Sequence, residues 1–217
     1  MNSDLWFEYM TNKELENFKE TFPGWDDYYK QTDVEVMPWY EKNLDQDVEN
    51  EIKSNNYNTG EFLDLGTGPG TQALQLSKYN FRVTGTDISQ SAIDKAKKLS
   101  NDINFLVDDV LNSKLSDKTF DFILDRGIFH NFDISQRPQY LKQIKRILNE
   151  NGILFLKCMS VKEKNIPDND MPHKLSNQEI INSFNADFDI LKIKDSEFRG
   201  ALEFYPKALF AVLKKKS

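Results

Sequence analysis

From residue 61 onward, short apolar runs alternate with amphipathic stretches. EFLDL at 61–65 has the continuous apolar character of a buried strand. Three glycines at 66, 68 and 70 break it, and 71–78 then sets Ala73, Leu74 and Leu76 at helical positions. A second strand is predicted at 82–86. Ser89 has the chemistry of a helix N-cap before Ala92, Ile93, Ala96 and Leu99. Strands follow at 103–107 and 120–124. Asp133 is the expected cap of a helix carrying Tyr140, Leu141, Ile144, Ile147 and Leu148, ended by Asn151-Gly152. A fifth strand is predicted at 153–158. Strand–helix alternation of this kind implies a parallel sheet with helices on both faces.

The last third reads differently. Residues 160–175 are polar and contain Pro167 and Pro172, which predicts a long loop. Ser176-Asn177-Gln178-Glu179 has capping-box spacing and should open a helix through Phe184. Two strands, 188–194 and 208–214, follow without a helix between them and should pair antiparallel at one edge. Residues 1–59 hold all three tryptophans (Trp6, Trp25, Trp39) and no strand pattern. They read as a helical cap on the α/β unit at 60–217, not as an independent domain.

Composition narrows the function classes. The chain has 217 residues, 39% hydrophobic positions and a formal net charge of −7. That permits one packed domain with an appendage, and the negative sign argues against a dedicated nucleic-acid binder. Cys158 is the single cysteine, which removes internal disulfides and cysteine zinc clusters; no metal site is expected. No secretory leader pattern opens the sequence, and no run reaches the ~18 apolar residues of a membrane span, so cytoplasmic residence is the expectation.

The chemistry concentrates at the ends of the predicted strands. Asp64-Leu65-Gly66-Thr67-Gly68-Pro69-Gly70 lies between a strand and a helix. Glycines there allow a tight turn and close approach of a ligand to the backbone. The spacing is G-x-G-x-G, one residue shorter than the dinucleotide fingerprint, and Pro69 removes a donor. Asp64 would oppose a diphosphate and would suit a cationic amino group. This favours a nucleoside joined to an amino acid. Asp87 ends the second strand 17 residues past Gly70, close to the roughly 20 expected of a carboxylate that grips a ribose diol. Asp108 and Asp109 end the third strand. One of them can accept from an adenine amino group, with the next backbone N–H, that of Val110, serving the ring.

In order, LDLGTGPG, VTGTDIS, FLVDDV and FDFILDRG resemble the class I S-adenosylmethionine-dependent methyltransferases. The resemblance runs from Glu61 to the C-terminus. It implies a Rossmann-like seven-stranded sheet, mostly parallel with an antiparallel last strand, and S-adenosyl-L-methionine as cofactor with S-adenosyl-L-homocysteine as product. It places Asp64, Gly66, Thr67, Gly68 and Gly70 along the methionine part, Asp87 at the ribose, and Ile88 beside the adenine. Asp109 with Val110 takes the adenine contact, and Asp125 sits near the methionine end.

The acceptor side is marked by Asp125-Arg126-Gly127-Ile128-Phe129-His130. Arg126 is a fixed positive charge, able to bind an anionic acceptor or favour a thiolate, or else simply to pair with an acid. His130 is a candidate base, or a packing residue. The Asp-Arg-Gly segment, with Trp25-x-x-Tyr28-Tyr29 and Met37-Pro38-Trp39, resembles the thiopurine S-methyltransferase-like branch of small-molecule thiol methyltransferases. Tyr29 and Trp39 are candidate lid residues over the cofactor, or core of the cap. The leading expectation is methyl transfer to a small thiol-like or anionic acceptor. A protein or RNA acceptor and a non-catalytic cofactor-binding module are the alternatives; the chain lacks the N-P-P-Y-like tetrapeptide suited to base methylation. A nicotinamide oxidoreductase is weakest, because of the glycine spacing.

Overall fold

The computed structural model describes residues 24–166, 171–201 and 204–217. Seven strands form one sheet: β1 Glu61–Leu65, β2 Arg82–Asp87, β3 Asn104–Val107, β4 Phe120–Arg126, β5 Leu148–Met159, β6 Phe188–Glu197 and β7 Lys207–Lys215. Their order is β3-β2-β1-β4-β5-β7-β6, with β7 antiparallel to both neighbours and the other adjacent pairs parallel. The strand order therefore reverses between β1 and β4, where ligands collect beyond the carboxyl ends of open parallel sheets.

Alternation along the central strands sends side chains to opposite faces. Phe62, Phe122, Phe155 and Phe210 form a row of stacked rings on one face. Helices α2 (Gln46–Ser54), α3 (Thr71–Ser77) and α4 (Gln90–Leu99) cover it with Val48, Ile52, Leu76 and Ile93. On the other face Leu63, Ile123 and Leu154 pack against Tyr140, Ile144, Ile180 and Phe184. These come from helices α5 (Arg137–Ile147) and α6 (Asn177–Phe184). Fully burying an aliphatic or aromatic side chain stabilises by about 1.5–3 kcal/mol, so these two layers carry the fold.

Ser89 caps α4 by accepting from the Ala92 amide, and Ser176 with Glu179 forms the capping box of α6. Other boundaries move. Asp133 does not cap α5: Gln136 is the N-cap, Pro138 sits in the first turn, and the Asp133 carboxylate instead meets His173 Nε2 at 3.1 Å. Asn151-Gly152 does not end α5 either. The helix stops at Ile147, and β5 starts at Leu148, opposite Phe120. Pairing resumes at Phe122–Ile153, so residues 149–152 bulge out, with Asn151 at φ +62°.

Among the described residues ahead of β1, helix α1 (Trp25–Gln31) and a 3-10 turn, Val34–Val36, precede α2. Asp26 fastens α1 to the start of α4, accepting from Ser89 Oγ and the Ser91 amide at 2.8 Å each. Lys95 Nζ reaches the Thr32 carbonyl at 2.8 Å. Trp6 and the rest of 1–23 lie outside the described residues, as do 167–170 in the predicted polar loop. Among the described residues, no helix is long and apolar enough to cross a membrane.

Candidate functional site

A cavity of about 390 Å³ opens at the carboxyl edge of the sheet, across the point where strand order reverses. Leu65 and Gly66 reach it from the end of β1, Thr86, Asp87 and Ile88 from β2, and Asp108, Asp109 and Val110 from β3. Arg126, Gly127, Ile128 and His130 reach it from β4, and Met159 from β5. Trp25, Tyr29 and Trp39 close one side.

The glycine loop is held from below. Asp64 Oδ2 accepts from Thr67 Oγ1 at 2.6 Å and from the Ala73 amide at 3.0 Å, tying loop to helix. Burial pushes its carboxyl up to about 6, against those two bonds. Gly68 donates its amide to Asp87 Oδ2 at 2.9 Å. At φ +52° it occupies a backbone region that disfavours side chains, and a Cβ there would lie 2.7 Å from Tyr29 Oη. Gly70 caps α3 and faces Ala96 and Phe105, away from the cavity. Asp64, Thr67, Gly68 and Gly70 thus build the loop, and Gly66 is the loop glycine on the cavity wall.

Asp87 also accepts from the Ser89 amide at 2.9 Å, and burial raises its pKa. The two acids after β3 differ sharply. Asp109 turns back to cap the turn Val110–Asn112, accepting from the Leu111 amide and Asn112 Nδ2. Asp108 Oδ1 accepts from the Lys114 amide, and Oδ2 is buried with no hydrogen-bond partner. An orphaned buried carboxylate oxygen is costly unless something supplies a proton. Its place on the wall, one strand from Asp87, fits a nucleoside that offers an amino group and a diol. Asp108 is the residue that motif alignment passes over in favour of Asp109; the doubled acid is the sequence signal for it.

On the other side, Asp125 is fully buried. Oδ1 accepts from the Gly127 and Ile128 amides at 3.1 and 2.7 Å; Oδ2 accepts from the Phe129 amide at 3.0 Å and Tyr140 Oη at 2.6 Å. Burial pushes its carboxyl up to about 6. It lies under the cavity wall and organises residues 127–129. Arg126 has all three guanidinium nitrogens engaged: Nε with Asp45 Oδ2 at 2.9 Å, Nη1 with the Trp39 carbonyl at 2.9 Å, and Nη2 with the Arg199 carbonyl at 2.6 Å. The charge expected to be free for an acceptor is paired. Lys157 Nζ joins the same carboxylate at 2.6 Å and also meets Asp47 at 2.8 Å. Burial alone would raise the Asp45 carboxyl; Lys157 and Arg126 overcome it and hold it below the ordinary range. No local sequence signal links Asp45, Arg126 and Lys157.

His130 does not present a base. Nδ1 accepts from the Met159 amide at 2.9 Å, and the ring's other nitrogen bonds the Gly127 backbone. Burial pushes its pKa down to about 3, so the ring is neutral and no ring lone pair is left for a substrate proton. Tyr29 and Trp39 lie in an aromatic pile with Trp25 and Tyr28, ring centroids 5.5–6.4 Å apart. They serve as core and cavity wall at once. Cys158 is fully buried in β5, and burial raises its thiol pKa.

The fold is Rossmann-like, the architecture shared by solved SAM-dependent methyltransferases. Residues 62–152 match a methyltransferase-domain family. The chain is 31% identical to human "EEF1A lysine methyltransferase 2" over 144 residues, 60% of this chain and 54% of that protein. It is 29% identical to the 2-heptyl-1-hydroxyquinolin-4(1H)-one methyltransferase of Mycobacteroides abscessus over 126 residues, 56% of this chain and 55% of that one. The matches thus span about half the length of these two relatives. A solved SAM-dependent methyltransferase from Methanosarcina mazei superposes with TM-score 0.68 at 18% identity, over 80% of this chain and 99% of that chain, and shares the fold.

Proposed function

We propose that this chain transfers the methyl group of S-adenosylmethionine to a small-molecule acceptor. The observation that carries this is a cavity shared by cofactor-side acids and an apolar wall, at the reversal of strand order. Bound there, the cofactor supplies a methyl carbon on a sulfonium, an electrophile that needs an in-line nucleophile and little else.

In this reading Asp87 holds the ribose hydroxyls. Asp108, with its unpartnered oxygen, takes the adenine amino group, while Asp109 keeps the Val110–Asn112 turn in place and Ile88 flanks the ring. Gly66 and the turn behind it leave room for the methionine part, with Asp64 fixing the loop. Tyr29 and Trp39 shut out water as part of an N-terminal cap. Arg126 and His130 act as positioning residues: one clamps the Trp39 and Arg199 backbones, the other joins Met159 to Gly127. Positioning and water exclusion replace a protein base. The single buried cysteine suits a reducing, cytoplasmic setting.

Calorimetric titration with S-adenosylhomocysteine tests the cofactor half; no binding at high micromolar concentration ends the reading. A second reading, transfer to a protein lysine, is favoured by the human relative. Formation of S-adenosylhomocysteine with small aromatic hydroxyl and thiol compounds, compared with lysine peptides, separates the two.

A further inference from the structure

This inference rests on the methyl-transfer reading and narrows its acceptor. Sheet order gives the cavity two chemically different ends. Strands β1, β2 and β3 bring Gly66, Asp87 and Asp108 to one of them. The other is formed by Phe132, Met159, Ile166, Pro172, Phe198 and Pro206. Among the described residues, no carboxylate side chain lies on that second end of the wall.

Among the described residues, free charge is missing there in both signs. Arg126 lines the cavity, but its Nε is paired with Asp45, and Nη1 and Nη2 each donate to a backbone carbonyl. Its guanidinium also sits over the Phe198 ring at 5.5 Å, which covers it further. His130 is neutral and bonded through both nitrogens. Asn131 Nδ2 is spent on the Gly127 carbonyl at 2.7 Å. An ammonium entering this end would leave water without a counter-charge, and a carboxylate without a free cation. A flat apolar body loses nothing and gains contact with rings and prolines.

We propose that the acceptor is an uncharged, predominantly apolar small molecule with a ring body, methylated on a weakly acidic heteroatom that it carries itself. The heteroatom's lone pair forms the new bond to the methyl carbon. The carbon–sulfonium bond breaks, its electron pair returns to sulfur, and the proton of the methylated heteroatom is released to solvent as the product leaves. Phe132 and Phe198 are the specificity-determining walls.

A matched trio tests this on the full chain: 2-naphthol, 2-naphthoate and 2-naphthylmethylammonium at pH 7, titrated by calorimetry with and without S-adenosylhomocysteine. The neutral ring should bind about tenfold or more tighter than either charged analogue. Phe132→Asp should lower naphthol affinity about tenfold, and Phe132→Leu should keep it within about threefold. Absent naphthol binding, a charged analogue binding equally well, or an unmoved affinity in a folded Phe132→Asp protein would overturn the proposal. If that variant does not fold, the trio on the unmodified chain decides. Loss of S-adenosylhomocysteine binding in the same samples counts against methyl transfer itself and leaves the naphthol comparison standing.

Discussion

Arg126 and Asp45 stand 81 positions apart in sequence and meet in a buried ion pair of 2.9 Å. Asp45 is the N-cap of α2, and Arg126 is the last residue of β4. The pair joins the segment ahead of the sheet to the strand end that lines the cavity. Lys157, also buried, completes it from β5. Asp45→Asn strips the shared counter-charge from two buried cations. Removing one partner of a buried pair costs about 3–5 kcal/mol. Urea unfolding should show a loss of that order; a loss below about 1 kcal/mol would mean that water already reaches the pair.

Acid titration should separate two kinds of carboxylate. Asp64 is raised from 3.8 to about 6 by burial, so the folded state holds its proton where the unfolded chain has released it. Stability from this group is therefore full at low pH and falls as pH rises between about 4 and 6. Asp125, raised to about 6, adds the same trend. Asp47 runs the other way: burial opposes ionisation, but Lys157 and other donors lower it to about 2, so its contribution is lost only as pH falls below the ordinary carboxylate range. Asp64→Asn should flatten the decline between pH 4 and 6 in urea midpoints. An unchanged profile would show that Asp64 is ionised in the fold.

The three cavity acids should be unequal in cofactor binding. A hydrogen bond to a charged group is worth about 1.5–3 kcal/mol, or about 10–100-fold in affinity. Asp87→Ala and Asp108→Asn should each weaken S-adenosylhomocysteine by an amount in that range, as read by calorimetry. Asp109→Asn should change it about threefold or less, because its carboxylate turns back to cap the Val110–Asn112 turn that follows it. Equal losses at 108 and 109 would reassign the adenine contact.

Gly68→Ala forces a methyl group to within 2.7 Å of Tyr29 Oη at a backbone angle of φ +52°. The backbone cost alone is about 1–2 kcal/mol. Adding Tyr29→Phe removes the clashing oxygen and should recover part of the lost melting temperature but not the backbone share. A double-mutant cycle without coupling would show that the ring is not pressed on the loop.

Much of the fold is legible from local pattern. β1 and the capping box at Ser176 are set by residues within a few positions of each other, and the motifs along 61–125 carried the resemblance that implied a seven-stranded, mostly parallel sheet. Where the reading slipped, a competing partner further away decided. Asp133 has cap chemistry, but His173 takes its carboxylate, and Gln136 starts α5. Residues 149–152 look like a helix end, yet Leu148 is already paired with Phe120 across the sheet. In the site, strand-end acids follow from spacing along one chain segment. The state of Arg126 does not, because its partners Asp45, Trp39 and Arg199 lie on separate elements. Nor can spacing show which of two adjacent acids has its oxygens used by the turn that follows.

Asp125 binds three successive amides, 127 to 129, as soon as β4 and the turn after it have formed. Those bonds need no ligand. The conformational entropy of this stretch is therefore removed by folding, before any acceptor arrives. Affinity at the apolar end then tracks ring contact and desolvation alone, and a ligand series varied only in contact area should show affinity rising in step with it.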